Sequence, residues 1–223
     1  DRSDLNWRRR QDDFKGLGSG EIGFSDQGVL LPDSVVPAQH LEIFLRSITR
    51  HVSSVTDLSK LPIAFAAVAT DLDNGEPVVM QKGVTLADAM RSSMSVPGAF
   101  SPFPFKGHVL VDGGLAQNLP VELAHAMGAD IIIAVNAGTP LGKSKDIHSV
   151  AGVMGQMVGI LTERNVDHSK SLLTKNDILI TTDLRGFTAG DFDKAKEIIE
   201  AGEKSARAYA DPVSYTHLRA HET

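Results

Sequence analysis

Three short apolar runs constrain this chain most. Residues 63–70 form a continuous stretch of small apolar residues, Ile131-Ile132-Ile133 sits within 130–136, and Ile178-Leu179-Ile180 opens 178–182. Each is too short for a helix and is bounded by turn residues, so each reads as a buried strand. Helical patterns separate them. In residues 39–55, Leu41, Phe44, Leu45, Ile48, Val52 and Val55 recur at the spacing of one helix face. Thr85 with Asp88 three positions on marks the start of a helix over 86–94, which Ser95-Val96-Pro97-Gly98 ends. Pro120 opens a helix through Met127, and Gly128 fits the position just past its end. A long helix is expected from about 147 to 172, and Asp191 is placed to cap a final helix reaching Tyr209. Asp71 to Gly75 carries turn chemistry before a strand over 76–81. Phe103 to Phe105 and Val109 to Val111 flank Lys106-Gly107-His108 as a hairpin. Strands separated by helices point to an α/β layer fold with a central sheet.

Composition narrows the function classes. The chain has 223 residues, with 22 Lys and Arg against 28 Asp and Glu for a net charge of -6. That balance argues against nonspecific nucleic-acid binding, which draws on clustered cations. The absence of cysteine excludes disulfides, thiolate metal sites and cysteine nucleophiles. No stretch reaches the roughly 18 uninterrupted apolar residues of a membrane-spanning helix.

The terminal segments read differently from the body. Residues 8–36 are rich in Arg, Asp and Gly and read as loops, with Arg8-Arg9-Arg10 as a solvated charge cluster. Val213 to Thr223 reads VSYTHLRAHET, which resembles a translated sequencing adapter. On that reading 213–223 stands outside the domain, 1–212 is authentic, and His217 and His221 carry no function.

Candidate chemistry is sparse. Asp112 closes a strand and is followed by Gly113 and Gly114. Strand alternation puts His108, Leu110 and Asp112 on one face. Glycines permit positive φ and close approach of another group to the backbone, and ligands of open α/β sheets gather beyond strand ends. The plainer reading is an Asx turn. Residues 137–144, AGTPLGKS, match a loosened phosphate-binding loop in which Lys143 would reach phosphates and Ser144 would hold Mg²⁺, with Asp183 as a downstream carboxylate. Pro140 removes one amide from that cradle, and a polar surface loop competes with the reading. Ser19, in Gly16-Leu17-Gly18-Ser19-Gly20, has its glycines misplaced for a nucleophile elbow, and Ser95 reads as helix-end chemistry. His108 is placed to reach Asp112 or to lie in solvent. Gly155 and Gly159 suggest close contact of the long helix within a core. The histidines show no metal-binding spacing.

Taken in order, a set of segments resembles the patatin-like phospholipases, in particular their bacterial branch. They are Leu61-Pro62-Ile63-Ala64-Phe65, Ala67-Val68-Ala69-Thr70-Asp71 with Gly75-Glu76, Ala89 through Gly98, and Leu110-Val111-Asp112-Gly113-Gly114 with Asn118-Leu119-Pro120-Val121. Gly128-Ala129-Asp130 completes the series. Residues 172–207 are also similar to a secreted subgroup whose lipase domain precedes an outer-membrane barrel, which leaves the compartment open between bacterial cytoplasm and cell surface. The resemblance implies a three-layer α/β fold with a mostly parallel central sheet. It also implies a Ser–Asp dyad hydrolase acting on lipid or phospholipid esters, with transient contact to a membrane surface and no cofactor or metal. The family's acid lies in a D-G-[GA] motif, which maps onto Asp112, Gly113 and Gly114. Its serine lies in G-x-S-x-G, and its oxyanion hole in an earlier glycine-rich loop. Neither motif occurs in this sequence. The expectation is therefore a partial domain that supplies the acid but not the nucleophile, inactive alone. A noncatalytic lipid-binding relative and a phosphate-loop nucleotide hydrolase stand as alternatives.

Overall fold

The computed structural model describes residues 38–142, 147–188 and 191–210, and the backbone of two short strands, β1 (Gly23–Ser25) and β2 (Gly28–Leu30), which pair antiparallel. Arg8-Arg9-Arg10, Ser19, Lys143, Ser144 and the segment 213–223 lie outside the described residues. The chain divides into two compact units, Asp1–Ala116 and Gln117–Thr223.

The first unit carries a four-stranded sheet in the order β4-β3-β6-β5, with β3 (Ala67–Asp71), β4 (Pro77–Met80), β5 (Phe103–Phe105) and β6 (His108–Asp112). All of its pairs are antiparallel. The α/β class holds, and in this sheet two of the three pairings are antiparallel for a plain reason. The reason is local: β3–β4 and β5–β6 are joined by tight turns, and a tight turn can only return the chain antiparallel. Lys106 and Gly107 both take positive φ, +50° and +86°, the backbone of a type I′ hairpin. β3 starts later than the apolar run. Ile63 is 86% exposed, and the Phe65 amide donates to the Leu58 carbonyl at 3.1 Å instead of joining a ladder.

One helix precedes this sheet in sequence and a second lies between β4 and β5. α1 (Ala38–Ile48) ends earlier than its apolar spacing suggests. The Thr49 hydroxyl donates back to the Leu45 carbonyl at 2.8 Å, a bond that competes with helix continuation, and a 3₁₀ turn follows at Arg50–Val52. Of its stripe, Leu45 is buried while Phe44 and Ile48 stay exposed. α2 (Leu86–Ser93) starts where expected: the Thr85 hydroxyl accepts from the Asp88 amide at 3.2 Å and donates to the Asp88 carboxylate at 2.8 Å. Leu58, Ala67, Ala69, Met80, Val84, Ala89 and Leu110 form the core of this unit.

The second unit holds α4 (Val121–Ala126), β7 (Ile133–Asn136), α5 (Val150–Ser171), β8 (Ile178–Thr181) and α6 (Ala195–Arg207). A single turn, α3 (Gly114–Gln117), precedes them. β7 and β8 pair in parallel through the long α5 crossover. β7 is shorter than its apolar run because the Ile132 amide is taken by the Asp177 carboxylate at 2.7 Å. Ser149 caps α5 by accepting from the Gly152 amide at 3.0 Å. Leu119, Val121, Ile132, Ala134 and Val166 form the core here. Asp191 precedes a 3₁₀ turn, Phe192–Lys194, rather than α6 itself. Its carboxylate caps nothing in α6 and instead accepts from the Thr188 amide, the Thr188 hydroxyl and Lys194 Nζ.

Candidate active site

The strand-end acid is built from two directions. β6 pairs with β3 so that Asp112 faces Ala69 and Leu110 faces Asp71. On one side the Thr70 hydroxyl donates to the Asp112 carbonyl at 2.8 Å. On the other, the segment leaving α2 accepts its amides: Asp112 N donates to the Ser95 carbonyl at 3.0 Å, and Gly113 N to the Ser93 carbonyl at 3.3 Å. The backbone of Asp112 is thus tied to a strand and to a helix exit.

Its carboxylate is partly buried. Among the described residues one group donates to it, the Gly114 amide at 2.7 Å to Oδ1. Burial pushes the carboxyl above its ordinary value, and the Gly114 amide only partly offsets this. The Asx-turn reading and the functional one are therefore compatible here: one oxygen makes the turn, while desolvation makes the group a stronger base than a solvated aspartate.

Gly113 has its own reason. It does not take positive φ. A Cβ at this position would instead meet Val68 O at 2.1 Å and Val68 C at 2.5 Å, so only glycine lets β6 turn against the β3 backbone.

Other sequence candidates fall elsewhere. His108 does not reach Asp112. Its Nδ1 lies 2.8 Å from Asp71 Oδ2, and the ring is more than half exposed. Cross-strand register explains this, since β3 runs past β6 with Asp71 opposite Leu110, near the solvent end that His108 occupies. Ser95 is fully buried; its hydroxyl accepts from Arg91 Nη1 and donates to the Arg91 carbonyl, which agrees with helix-end chemistry. Among the described residues Gly155 makes no close helix contact, because a Cβ there would meet nothing within 4 Å.

The described residues do not favour the phosphate-loop reading. α5 has its N-cap at Ser149, five residues beyond Ser144, so Lys143-Ser144 cannot open that helix. Asp183, the would-be magnesium carboxylate, is occupied by Arg185, whose Nε and Nη2 donate at 2.8 and 2.6 Å and hold the carboxyl down at about 2. Residues 136–140 do line a cleft of about 1020 Å³ in the second unit, together with Thr162, Thr182 and Asp183. The cations on this cleft are already paired, Lys170 with Asp167 and Arg185 with Asp183. Among the described residues no cluster of three His, Asp or Glu could hold a metal ion.

Sequence reasoning missed Arg91. It sits on α2 with 2% exposure, an unusual fate for arginine. Its Nη1 donates to the Ser95 hydroxyl at 2.6 Å and its Nη2 to the Ser101 carbonyl at 2.9 Å, while Nε lies 3.6 Å from Glu42 Oε1. Burial lowers its pKa, and Glu42 opposes that. The guanidinium also stands 5.9 Å from the Phe103 ring centroid. The one signal in the sequence is a lone arginine within the small-residue helix 86–94.

Comparison with known proteins gives the family. The model of the patatin-like phospholipase family matches residues 8–125, more than half of the chain and inclusive of Asp112-Gly113-Gly114. The chain belongs to the patatin-like phospholipase family. An uncharacterized NTE family protein of Mycobacterium tuberculosis is 30% identical over 166 residues, which cover 73% of this chain and 46% of the relative. The patatin-like phospholipase domain-containing protein 7 of Mus musculus is 35% identical over 95 residues, 39% of this chain and 7% of that protein. Patatin-like phospholipase domain-containing protein 6 of Mus musculus is 36% identical over 98 residues, 43% and 7% respectively. The chain thus spans about half the length of its mycobacterial relative. Among the described residues, no helix of this patatin-like chain is long and apolar enough to cross a membrane.

Proposed function

We propose that this chain supplies the acid of a Ser–Asp dyad in a lipid ester hydrolase. Asp112 takes the role of general base. A serine hydroxyl contributed by sequence outside this chain attacks the ester carbonyl of a lipid or phospholipid. Asp112 accepts the hydroxyl proton as the serine oxygen bonds to carbon, and the carbonyl electron pair moves onto oxygen. The proton then passes to the leaving alcohol as the acyl-enzyme forms, and water completes the cycle by the same route in reverse. No histidine intervenes.

The observation that carries this reading is the partly buried carboxylate of Asp112 at the end of β6, which among the described residues accepts one hydrogen bond, from the Gly114 amide, and which burial raises. An aspartate in water, with a pKa of about 3.9, is a poor acceptor of a hydroxyl proton. A desolvated carboxylate matches the task better. Family membership supports the reaction class. The chain alone has no G-x-S-x-G and no glycine-rich oxyanion loop. Since nucleophile and oxyanion donors act as a unit, residues 1–212 alone are inactive.

Two measurements test this. In the longer parent, Asp112→Asn lowers ester turnover by about a hundredfold or more while the fold persists. Wild-type turnover in that variant removes Asp112 from the chemistry. Purified residues 1–212 leave a p-nitrophenyl ester at its background hydrolysis rate; robust cleavage contradicts the dyad as drawn.

A further inference from the structure

We infer that Arg91 is a positioning residue for Asp112, acting through the segment that leaves α2. Residues 94–102 belong to no helix or strand, and Gly98 takes positive φ there. Turns of this kind hold neighbouring residues to one another but do not join the start of the segment to its end. Yet the Ser95 carbonyl is the acceptor for the Asp112 amide. The segment's own backbone bonds are short-range, Ser95 N to the Ser92 carbonyl and Ala99 N and Phe100 N to the Val96 carbonyl, and the tie between its two ends is one planar fork. Arg91 Nη1 binds the Ser95 hydroxyl and Nη2 binds the Ser101 carbonyl, so a single guanidinium ties the start of the segment to its end. The Ser95 hydroxyl is itself returned to the Arg91 carbonyl at 2.9 Å, which closes the loop.

The arrangement is costly, which argues for a role beyond packing. Arg91 Nε is buried with no hydrogen-bond partner among the described residues, and Glu42 compensates it only at 3.6 Å. A buried, incompletely satisfied cation is weak evidence for stability. The same helix position filled by methionine would pack without that penalty. The geometry that methionine would not supply is the two-pronged grip on 95 and 101. Lysine would not supply it either, because an ammonium offers a point charge rather than a fork.

The inference rests on Asp112 being the proposed base, and its test is built to separate the two. The readout is amide hydrogen exchange in the full chain, which needs no turnover. In Arg91→Met the Asp112 amide exchanges about tenfold faster relative to the Leu58 amide, the loss expected when one net hydrogen bond is freed. Leu58, which donates to Gln81 at 2.8 Å in the same core, serves as the internal reference. Arg91→Lys behaves as Arg91→Met. In both, the Asp112 carboxyl, followed by carbon NMR, titrates nearer its solvated value as water gains access. Ser95→Ala, which removes one prong and leaves the buried charge, gives a smaller selective increase of about threefold. If the two amides accelerate together, or if lysine restores protection, Arg91 is structural only. Should Arg91→Met fail to fold, Ser95→Ala decides: no selective change at Asp112 overturns the inference. A fully active Asp112→Asn parent would sink the base role and leave the exchange result standing.

Discussion

A Cβ built on Gly113 would lie 2.1 Å from the carbonyl oxygen of Val68, far inside any tolerable contact. Both partners are main chain, so neither can swing aside as a side-chain tip would. The D-G-G motif is thereby explained at its second position by closeness of two strands rather than by torsional freedom.

Gly113→Ala should therefore destabilise the first unit by about 3 kcal/mol, the upper part of the range for overpacking, because relief requires β6 to part from β3. Urea unfolding should show a lower midpoint at unchanged slope. An alanine variant with the wild-type midpoint would mean that the two strands separate freely.

Much of this frame was legible in the residues. The hairpin at Lys106-Gly107, the Thr85 cap and the β7–α5–β8 crossover all follow from turn chemistry and periodicity, which are local. The parts that were not legible depend on partners distant in sequence. Nothing around His108 says that it meets Asp71 rather than Asp112, since β3–β6 register decides it. Nothing around Ile63 says that a run of apolar residues is left exposed while the Phe65 amide turns to Leu58. Arg91 is the sharpest case, because a helix-borne arginine reads as solvated until Ser95 and Ser101 close around it. Asp112 stands out as a candidate from its own neighbours, and Gly114 does supply the amide its carboxylate accepts, but the reason for Gly113 lies in Val68 of the distant β3.

Asp112→Asn should stabilise the fold at neutral pH. The native carboxyl is raised above its unfolded value, so keeping it ionised costs stability at every pH above the folded pKa. That cost fades as pH falls toward the unfolded value of about 3.9 and is absent below it. Asparagine keeps an oxygen for the Gly114 amide and carries no charge. The melting temperature of the variant should exceed wild type near pH 7, and the gain should vanish near about pH 3. An equal gain at both values would assign the effect to packing rather than to ionisation.

Gly155→Ala should stabilise α5. A Cβ there meets no atom of the described residues within 4 Å, and the residue lies inside a 22-residue helix. Glycine in a helix interior is worse than alanine by roughly 0.5–1 kcal/mol. Thermal unfolding should move up accordingly. Gly159→Ala is the contrast, since its Cβ would meet Leu141 Cδ2 at 2.9 Å and the leucine must shift. A destabilised Gly155→Ala would restore the reading of this glycine as a helix-contact position.

Asp191 should titrate at about 2 and respond to Lys194. The Lys194 ammonium, bound at 2.7 Å, is the largest cause of the depression, followed by the Thr188 hydroxyl and amide. Because the folded value lies below the unfolded one, the stability these bonds contribute is present above about pH 4 and is lost as pH falls through about 2. Lys194→Met should raise the Asp191 carboxyl only part of the way to its ordinary value, as Thr188 continues to donate twice. Carbon-detected NMR of the side-chain carboxyls from pH 1.5 upward, on the order of the range that brackets both values, follows this directly. A Lys194→Met carboxyl still at about 2 would show that Thr188 alone holds the anion, and that the ammonium contact does not persist in solution.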